Sequence, residues 1–289
     1  MNSDSGIPTF GALAPGWLDR MVMAMTEPLP DTWAGLRLAI LLRRAVTMRL
    51  AYPDGALDVE RWGLRMRLHP RDNGCEKNLL FTPRMYEPEE LAELEDDIAR
   101  AKGQGRRFTF VDIGANVGLF SLFVASRAGQ QARILAIEPE PGNLRRLEFN
   151  VRANPGVPIT IIPKALSDEA GVVAIELDRR DRGGSRTKKI DQAGASTETV
   201  RVPSQTLLDL LAGEGIDAVD ALKIDVEGLE GVILAPFFRD APPRLRPRLV
   251  IIEDSRPSWK VDLMAVMQGC GYELVALSRH KNLMLRLKP

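Results

Sequence analysis

Carboxylates recur at the ends of apolar runs in this 289-residue sequence, and their spacing is the first sign of chemistry. VDIGANVGLF puts Asp112 at the close of one run, with Gly114 and Gly118 bracketing a tight loop before a helix. Backbone can approach a ligand closely at glycine, and the first turn of a helix offers unpaired N–H groups. The spacing is GxxxG, not the GxGxxG that cradles a pyrophosphate. Asp112 suits a cationic amino group. Glu138, in AIEPEPGNLRRLEFN, follows the loop by about 20 residues, where an acidic side chain accepts hydrogen bonds from ribose hydroxyls. Two acidic strand ends with no basic residue in the loop favour a nucleoside without phosphates over a dinucleotide. In ALSD, Asp168 either meets an adenine edge or forms a turn with Gly171.

LKIDVEGLE carries Asp225 and Glu227 out of another apolar run. Such carboxylates need a cleft or a partner; the cleft would let them orient the reacting groups, and Lys223 is the available partner. IIEDS adds Glu253 and Asp254, expected to join Asp225 around one cleft. Oxygen ligands in that number can hold a divalent cation, but proton transfer or hydrogen bonding to an acceptor is the favoured reading and no metal site is assigned. Of the two histidines, His280 is better placed for general-base work, the alternative being a solvated turn residue. The basic stretch DRRDRGGSRTKK, residues 178–189, is either a lid toward an anionic acceptor or a charged surface loop.

The elements that must position these residues alternate regularly after residue 104. Apolar runs at 108–113, 134–137, 159–163, 172–177, 221–224 and 249–252 read as strands, and 119–127, 141–153, 205–212 and 229–235 as helices. Alternation of this kind means a parallel sheet, and runs apolar throughout mean that helices cover both faces. The last two runs, 272–277 and 283–287, are joined only by SRHKN, too short for a helical crossover, so the final strand must be antiparallel. The expected fold is α/β, a Rossmann-like doubly wound, mostly parallel sheet ending in an antiparallel hairpin. Residues 1–104 form an N-terminal helical and mixed extension, expected to cover the acceptor pocket, and 105–289 the ligand-binding domain. Within the extension, 31–50 and 88–102 read as helices and 61–68 as a short strand.

Lys plus Arg and Asp plus Glu are 39 each, so no global field exists to hold a nucleic-acid backbone, and nucleic acid is not an expected partner. Two distant cysteines, Cys75 and Cys270, argue against a disulfide scaffold and for a reducing, cytoplasmic location. No secretory signal pattern opens the chain, and the apolar stretch 33–42 is too short to span a bilayer. It reads as a buried helix with a basic end, with shallow membrane association as the alternative.

Taken together, DIGANVGLFS, EPEPGNLRRLEFN, ALSDEAG, LKIDVEGLEGVIL, IIED and GYELVAL resemble, in order, the motifs of the FkbM-type methyltransferases, a branch of the class I fold dependent on S-adenosylmethionine. The resemblance runs from about Asn73 to the end, with KIDVEG its specific part. It implies that Asp112, Gly114, Asn116 and Gly118 cradle the methionine end of S-adenosylmethionine, that Glu138 holds the ribose and Asp168 the adenine region, and that Asp225 and Glu227 border the methyl donor. It also implies methylation of a hydroxyl on a secondary metabolite or glycan, so the expected partner is a small hydroxylated acceptor, a sugar or secondary metabolite, anionic where the basic stretch 178–189 acts as a lid. The chain departs from the pattern after IIE, where a histidine often follows and Asp254 and Ser255 stand instead. That departure leaves the general base unassigned by the resemblance; read from the residues alone, the candidate catalytic residues are Asp225, Glu253 and His280. A nicotinamide-dependent oxidoreductase would need the absent GxGxxG; a non-catalytic scaffold retaining the fold is the other alternative.

Overall fold

The computed structural model describes residues 7–51, 55–176 and 199–288, with the backbone alone of 186–188; the rest of the basic stretch 178–189 lies outside the described residues. The chain begins with two helices, α1 (Trp17–Thr26) and α2 (Trp33–Thr47). The segment expected as one strand at 61–68 is a hairpin, β1 (Leu57–Arg61) and β2 (Leu64–Leu68). Trp62 and Gly63 between them both take positive φ, 54° and 76°, the twist that suits a two-residue hairpin turn. Two more helices follow, α3 (Gly74–Phe81), which pattern reading missed, and α4 (Pro88–Gly103).

The central sheet then assembles from β3 (Phe108–Ile113), β4 (Ala132–Ile137) and β5 (Ile159–Ile162), with α5 (Leu119–Ala128) and α6 (Pro141–Arg152) as crossovers. A small separate sheet interrupts it. In that sheet β6 (Ala165–Leu166), β7 (Gly171–Glu176), β8 (Arg186–Lys188) and β9 (Thr199–Gln205) lie in the order β6-β9-β7-β8. The run at 172–177 is thus not a strand of the parallel sheet: β7 pairs antiparallel with β8 and β9. Gln205 closes β9 rather than opening a helix, and α7 covers Leu207–Gly213.

The chain returns through β10 (Ala221–Ile224), α8 (Glu230–Asp240), β11 (Leu249–Glu253), α9 (Leu263–Gly269) and the hairpin β12 (Tyr272–Leu277) and β13 (Asn282–Leu287). Strand order is β12-β13-β11-β10-β3-β4-β5, parallel except for β13, which runs antiparallel to both neighbours. The order reverses between β3 and β10, so the crevice at their carboxyl ends is where an open α/β sheet binds its ligand.

Side chains alternate across a strand, and the core divides accordingly. Phe108, Phe110, Ile134, Ala221 and Ile251 pack on one face with α4, α5 and the N-terminal elements. Val111, Ile113, Leu222, Ile224 and Ile252 pack on the other, against α7, α8 and α9. The N-terminal elements therefore share a core with the sheet. Arg146 of α6 ties them further, with Nη2 at 2.7 Å from Asp72 and Nη1 at 3.0 Å from Glu76, both acids buried.

The helix expected to be buried at 33–42 is not. Of α2, Gly35, Ala39 and Val46 are buried, while Trp33, Leu36, Leu38, Ile40 and Leu41 are exposed, because the stripe that faces the protein is built of small residues.

Candidate functional site

Asp112, Lys223 and Glu253 occupy positions of the same parity as the residues facing the N-terminal elements, and their strands are neighbours in the order β3-β10-β11. Lys223 stands beside Asp112 in the parallel register, and Glu253 opposite Asn282 on β13. Period-two alternation thus brings charged strand ends to one side of the sheet, where helices α3 and α4 stop short of covering them.

The resulting cavity has a volume of about 260 Å³. It is lined by Asp112, Gly114, Ala115 and Asn116 after β3 and by Lys223, Asp225, Glu227 and Glu253 at the ends of β10 and β11. Tyr86, Glu87, His280 and Asn282 line it too, with Gly74 and Cys75 of α3.

Gly114 has φ of 75°, and a Cβ there would lie 2.0 Å from the Asp225 carbonyl oxygen, so glycine is what lets the β3 and β10 loops touch. Gly118 serves packing instead: its φ is 86°, and a Cβ would meet Leu147 of α6 at 2.5 Å. Asn116, also at positive φ, donates its N–H to Glu138 Oε2 at 2.7 Å, while Glu140 N–H donates to Oε1 at 2.8 Å. Glu138 thereby fixes the loop that follows β3, and it does not line the cavity. Neither does Asp168, which accepts from Ser167 Oγ at 2.9 Å.

The loop after β10 owes its shape to Glu230, a residue sequence reasoning missed. Fully buried at the start of α8, it accepts from Val226 N and Gly228 N, each at 3.2 Å, and from Trp259 Nε1 at 2.8 Å. These bonds hold Glu227 and Gly228 at φ of 56° and 101° and display Asp225 and Glu227 to the cavity.

Charge is unbalanced here. Lys223 Nζ lies 3.2 Å from Asp225 Oδ2, as its place on the strand suggested, and 4.9 Å from the Phe120 ring. Burial opposes its charge, yet Asp225, Asp112 and Glu87 hold it above the ordinary lysine range. Burial pushes Asp112 upward against its bonds from Ser121. Its Oδ1 is buried and has no hydrogen-bond partner among the described residues. An ammonium group would satisfy that atom, and the excess of carboxylates suits a cationic ligand. The methionine amine and sulfonium of S-adenosylmethionine fit this lining.

Asp225, Glu227 and Glu253 each present a carboxylate oxygen within 4.8 Å of the others, a spacing that could hold a cation. Their mutual repulsion, added to burial, raises Glu253 to about 7. Asp254 does not join them. It follows the strand end and pairs with Arg256 at 2.6 and 2.7 Å, facing away as the residue next to Glu253 must.

Glu87 is the other residue that pattern reading missed. It caps α4 with φ of 44°, unusual for a residue with a side chain, and its carboxyl enters the cavity. Burial and Glu90 raise it to about 8. Asn282 Nδ2 donates to it at 2.7 Å, and His280 Nδ1 lies 4.0 Å from its Oε1. The Pro88 that follows, which marks a helix start, was the local signal in the sequence.

Comparison with known proteins shows the family. The family model described as Methyltransferase FkbM domain matches residues 112–274. Methyltransferase sdnD of Sordaria araneosa is 27% identical over 196 residues, covering 57% of this chain and 73% of that protein. The 31-O-demethyl-FK506 methyltransferase FkbM of Streptomyces tacrolimicus is 28% identical over 191 residues, covering 57% and 72%. The solved structure of the O-methyltransferase from Bacillus cereus in complex with SAH superposes with a TM-score of 0.38 at 12% identity, over 68% of this chain and 81% of that one. A family match that spans more than half the chain, and includes both the loop after Asp112 and KIDVEG, shows that this protein belongs to the FkbM methyltransferase family and is an S-adenosylmethionine-dependent methyltransferase.

Proposed function

We propose that this enzyme methylates a hydroxyl oxygen of a small molecule, a sugar or a secondary metabolite. The observation that carries the reading is Glu253, a carboxyl raised to about 7 in the lining of the cavity, with Glu87 and His280 lining the same cavity. An alcohol must lose its proton as it is methylated, whereas a thioether or an amine lone pair need not. The name of the Streptomyces relative, a 31-O-demethyl-FK506 methyltransferase, supports an oxygen acceptor on a secondary metabolite.

S-adenosylmethionine supplies an electrophilic methyl group on a sulfonium. In our reading Asp112 binds the methionine amine through its unpartnered oxygen, with Gly114, Asn116 and Gly118 shaping the loop beneath it. Glu138 accepts from the ribose hydroxyls and Asp168 borders the adenine. Asp225, oriented by Lys223, and Glu227 lie along the methyl donor. Glu253 would take the acceptor's proton as its oxygen accepts the methyl group, the demethylated sulfur compound leaving as the neutral product. The raised value of Glu253, about 7, suits a base working near neutrality. Glu87 and His280 position the acceptor hydroxyl near the reacting methyl, a near-attack separation of about 3 to 3.5 Å. Because Lys223 already offsets Asp225, the cluster serves proton transfer rather than a metal. Residues 1–104 cover the pocket on the acceptor side, through Tyr86 and Glu87. The separate cysteines suit the reducing cytoplasm.

Calorimetric titration with S-adenosylmethionine and with its demethylated product, followed by a screen of hydroxylated acceptors for methyl transfer, tests the reading. Binding of both ligands, weakened in Glu138→Ala, and transfer to an alcohol are expected. Transfer confined to nitrogen or sulfur acceptors would refute the oxygen assignment.

A further inference from the structure

The helical pair α1 and α2, joined by residues 27–32 and closed by the ion pair of Arg49 with Asp19, buries one narrow stripe and leaves a wide face bare. On α2 that face carries Trp33, Leu41 and Met48, 75%, 65% and 76% exposed. On α1 it carries Trp17, 78% exposed, with Met21 and Met25 nearly half exposed. Helical spacing sets Arg37 and Arg44 among the apolar residues of α2, and Arg37 lies over the Trp33 ring at 5.2 Å. Arg20 is exposed on α1. Asp19 is the single acid in either helix, and it is buried against Arg49. The outward face is therefore aromatic, aliphatic and basic, in a chain whose acids and bases otherwise balance.

We propose that this face docks on an anionic lipid bilayer, with Trp17 and Trp33 at the headgroup level and Arg20, Arg37 and Arg44 meeting the lipid phosphates. Indole rings favour the membrane interface, and arginine can lay its aliphatic stem on apolar surface while its guanidinium stays with the headgroups. A basic amphipathic face of this kind lies in the interface and does not span it. No helix among the described residues is long and apolar enough to cross a membrane. Charge complementarity selects lipid phosphate over a second copy of the chain, whose identical face would set arginine against arginine.

The pair is also bonded to the rim of the cavity. Arg279, next to His280, reaches Asp31 at 2.8 Å, and Arg43 donates to Asn78 of α3 at 3.2 Å. Docking would hold the acceptor side of the site close to the bilayer, and the docking itself does not depend on which acceptor is methylated.

Co-sedimentation of the full chain with vesicles of phosphatidylglycerol and phosphatidylcholine, compared with phosphatidylcholine alone, tests the proposal. The chain has four tryptophans, and Trp62 and Trp259 are partly buried, so a blue shift of emission on binding reports chiefly Trp17 and Trp33. Binding to the anionic vesicles, reversed by salt, is expected. Trp17→Ser with Trp33→Ser should weaken it by roughly tenfold or more, and Arg37→Glu with Arg44→Glu should remove the preference for anionic lipid. All four positions are exposed, and an unchanged circular dichroism spectrum verifies folding. Absence of binding in low salt, or binding that survives both double substitutions, would overturn the proposal. So would a dimer seen by sedimentation velocity, dispersed by the tryptophan substitutions, in a chain that ignores vesicles.

Discussion

Glu253, Glu87 and Glu138 share one physical situation: burial takes each carboxyl out of water, and the resulting values are about 7, 8 and 8 against an ordinary 4.5. A raised value means that the native chain holds protons the unfolded chain has released. The stability so contributed is complete below about pH 4.5 and is lost as pH rises through 7 to 8, which thermal melts of the ligand-free protein across that range would register. A cationic cofactor reverses the preference by favouring the ionised forms. Affinity for S-adenosylmethionine should therefore climb between pH 6 and 8, by at most about tenfold per pH unit for each proton released. Calorimetry in buffers of different ionisation enthalpy would count those protons, and Glu138→Gln should reduce the number. At the reacting centre, Glu253→Gln should lower kcat by roughly 10² to 10⁴. It should also remove the limb of the pH profile near 7 and one of the protons released on cofactor binding, and chelation should leave the wild-type rate unchanged. Asp112, Asp225 and Glu253 were legible because each closes an apolar run. Glu87 was not, because it closes no strand and only the packing of α4 against the sheet brings it to the cavity.

At the scale of elements, the contact between the loops after β3 and β10 sets the width of the site. Gly114→Ala would drive a Cβ into the Asp225 carbonyl, 2.0 Å away, from a backbone conformation that alanine disfavours. The β10 loop would have to move, and with it Asp225 and Glu227. The expected loss is about 1 to 3 kcal/mol of stability, visible as a lowered denaturation midpoint, with S-adenosylmethionine binding weakened as well. Glycine at 114 could be read from the sequence as a tight turn, but the neighbour that requires it could not, since strand order puts β10 beside β3 across a long stretch of chain. The same limit explains β7. Its apolar run announced a strand correctly, while its partners, β8 and β9, were set by hydrogen bonding that a local pattern does not encode.

For the whole molecule, the N-terminal elements and the sheet share one core, with Leu79, Leu80, Phe81, Leu94 and Ile98 packed in the cluster that includes Phe108 and Phe110. Removing residues 1–104 would expose that face of the sheet to water. The truncated chain should lose cooperative thermal unfolding and aggregate, as light scattering and near-ultraviolet circular dichroism would show. A soluble, cooperatively unfolding fragment would mean that the sheet closes its core without the extension. The sequence by itself determined the sheet, the antiparallel last strand and the carboxylates at the strand ends, because these follow from local periodicity and from connections too short for any other path. It also carried the family motifs. Only the tertiary structure decided which carboxylates meet: it set Glu253 beside Asp225 and turned Asp254 outward, brought Glu87 and His280 to the same cavity, and left α2 bare where an apolar run promised burial. Facing depends on what packs where, and for a helix lined with Gly35, Ala39 and Val46 the small side was the one the protein could bring close.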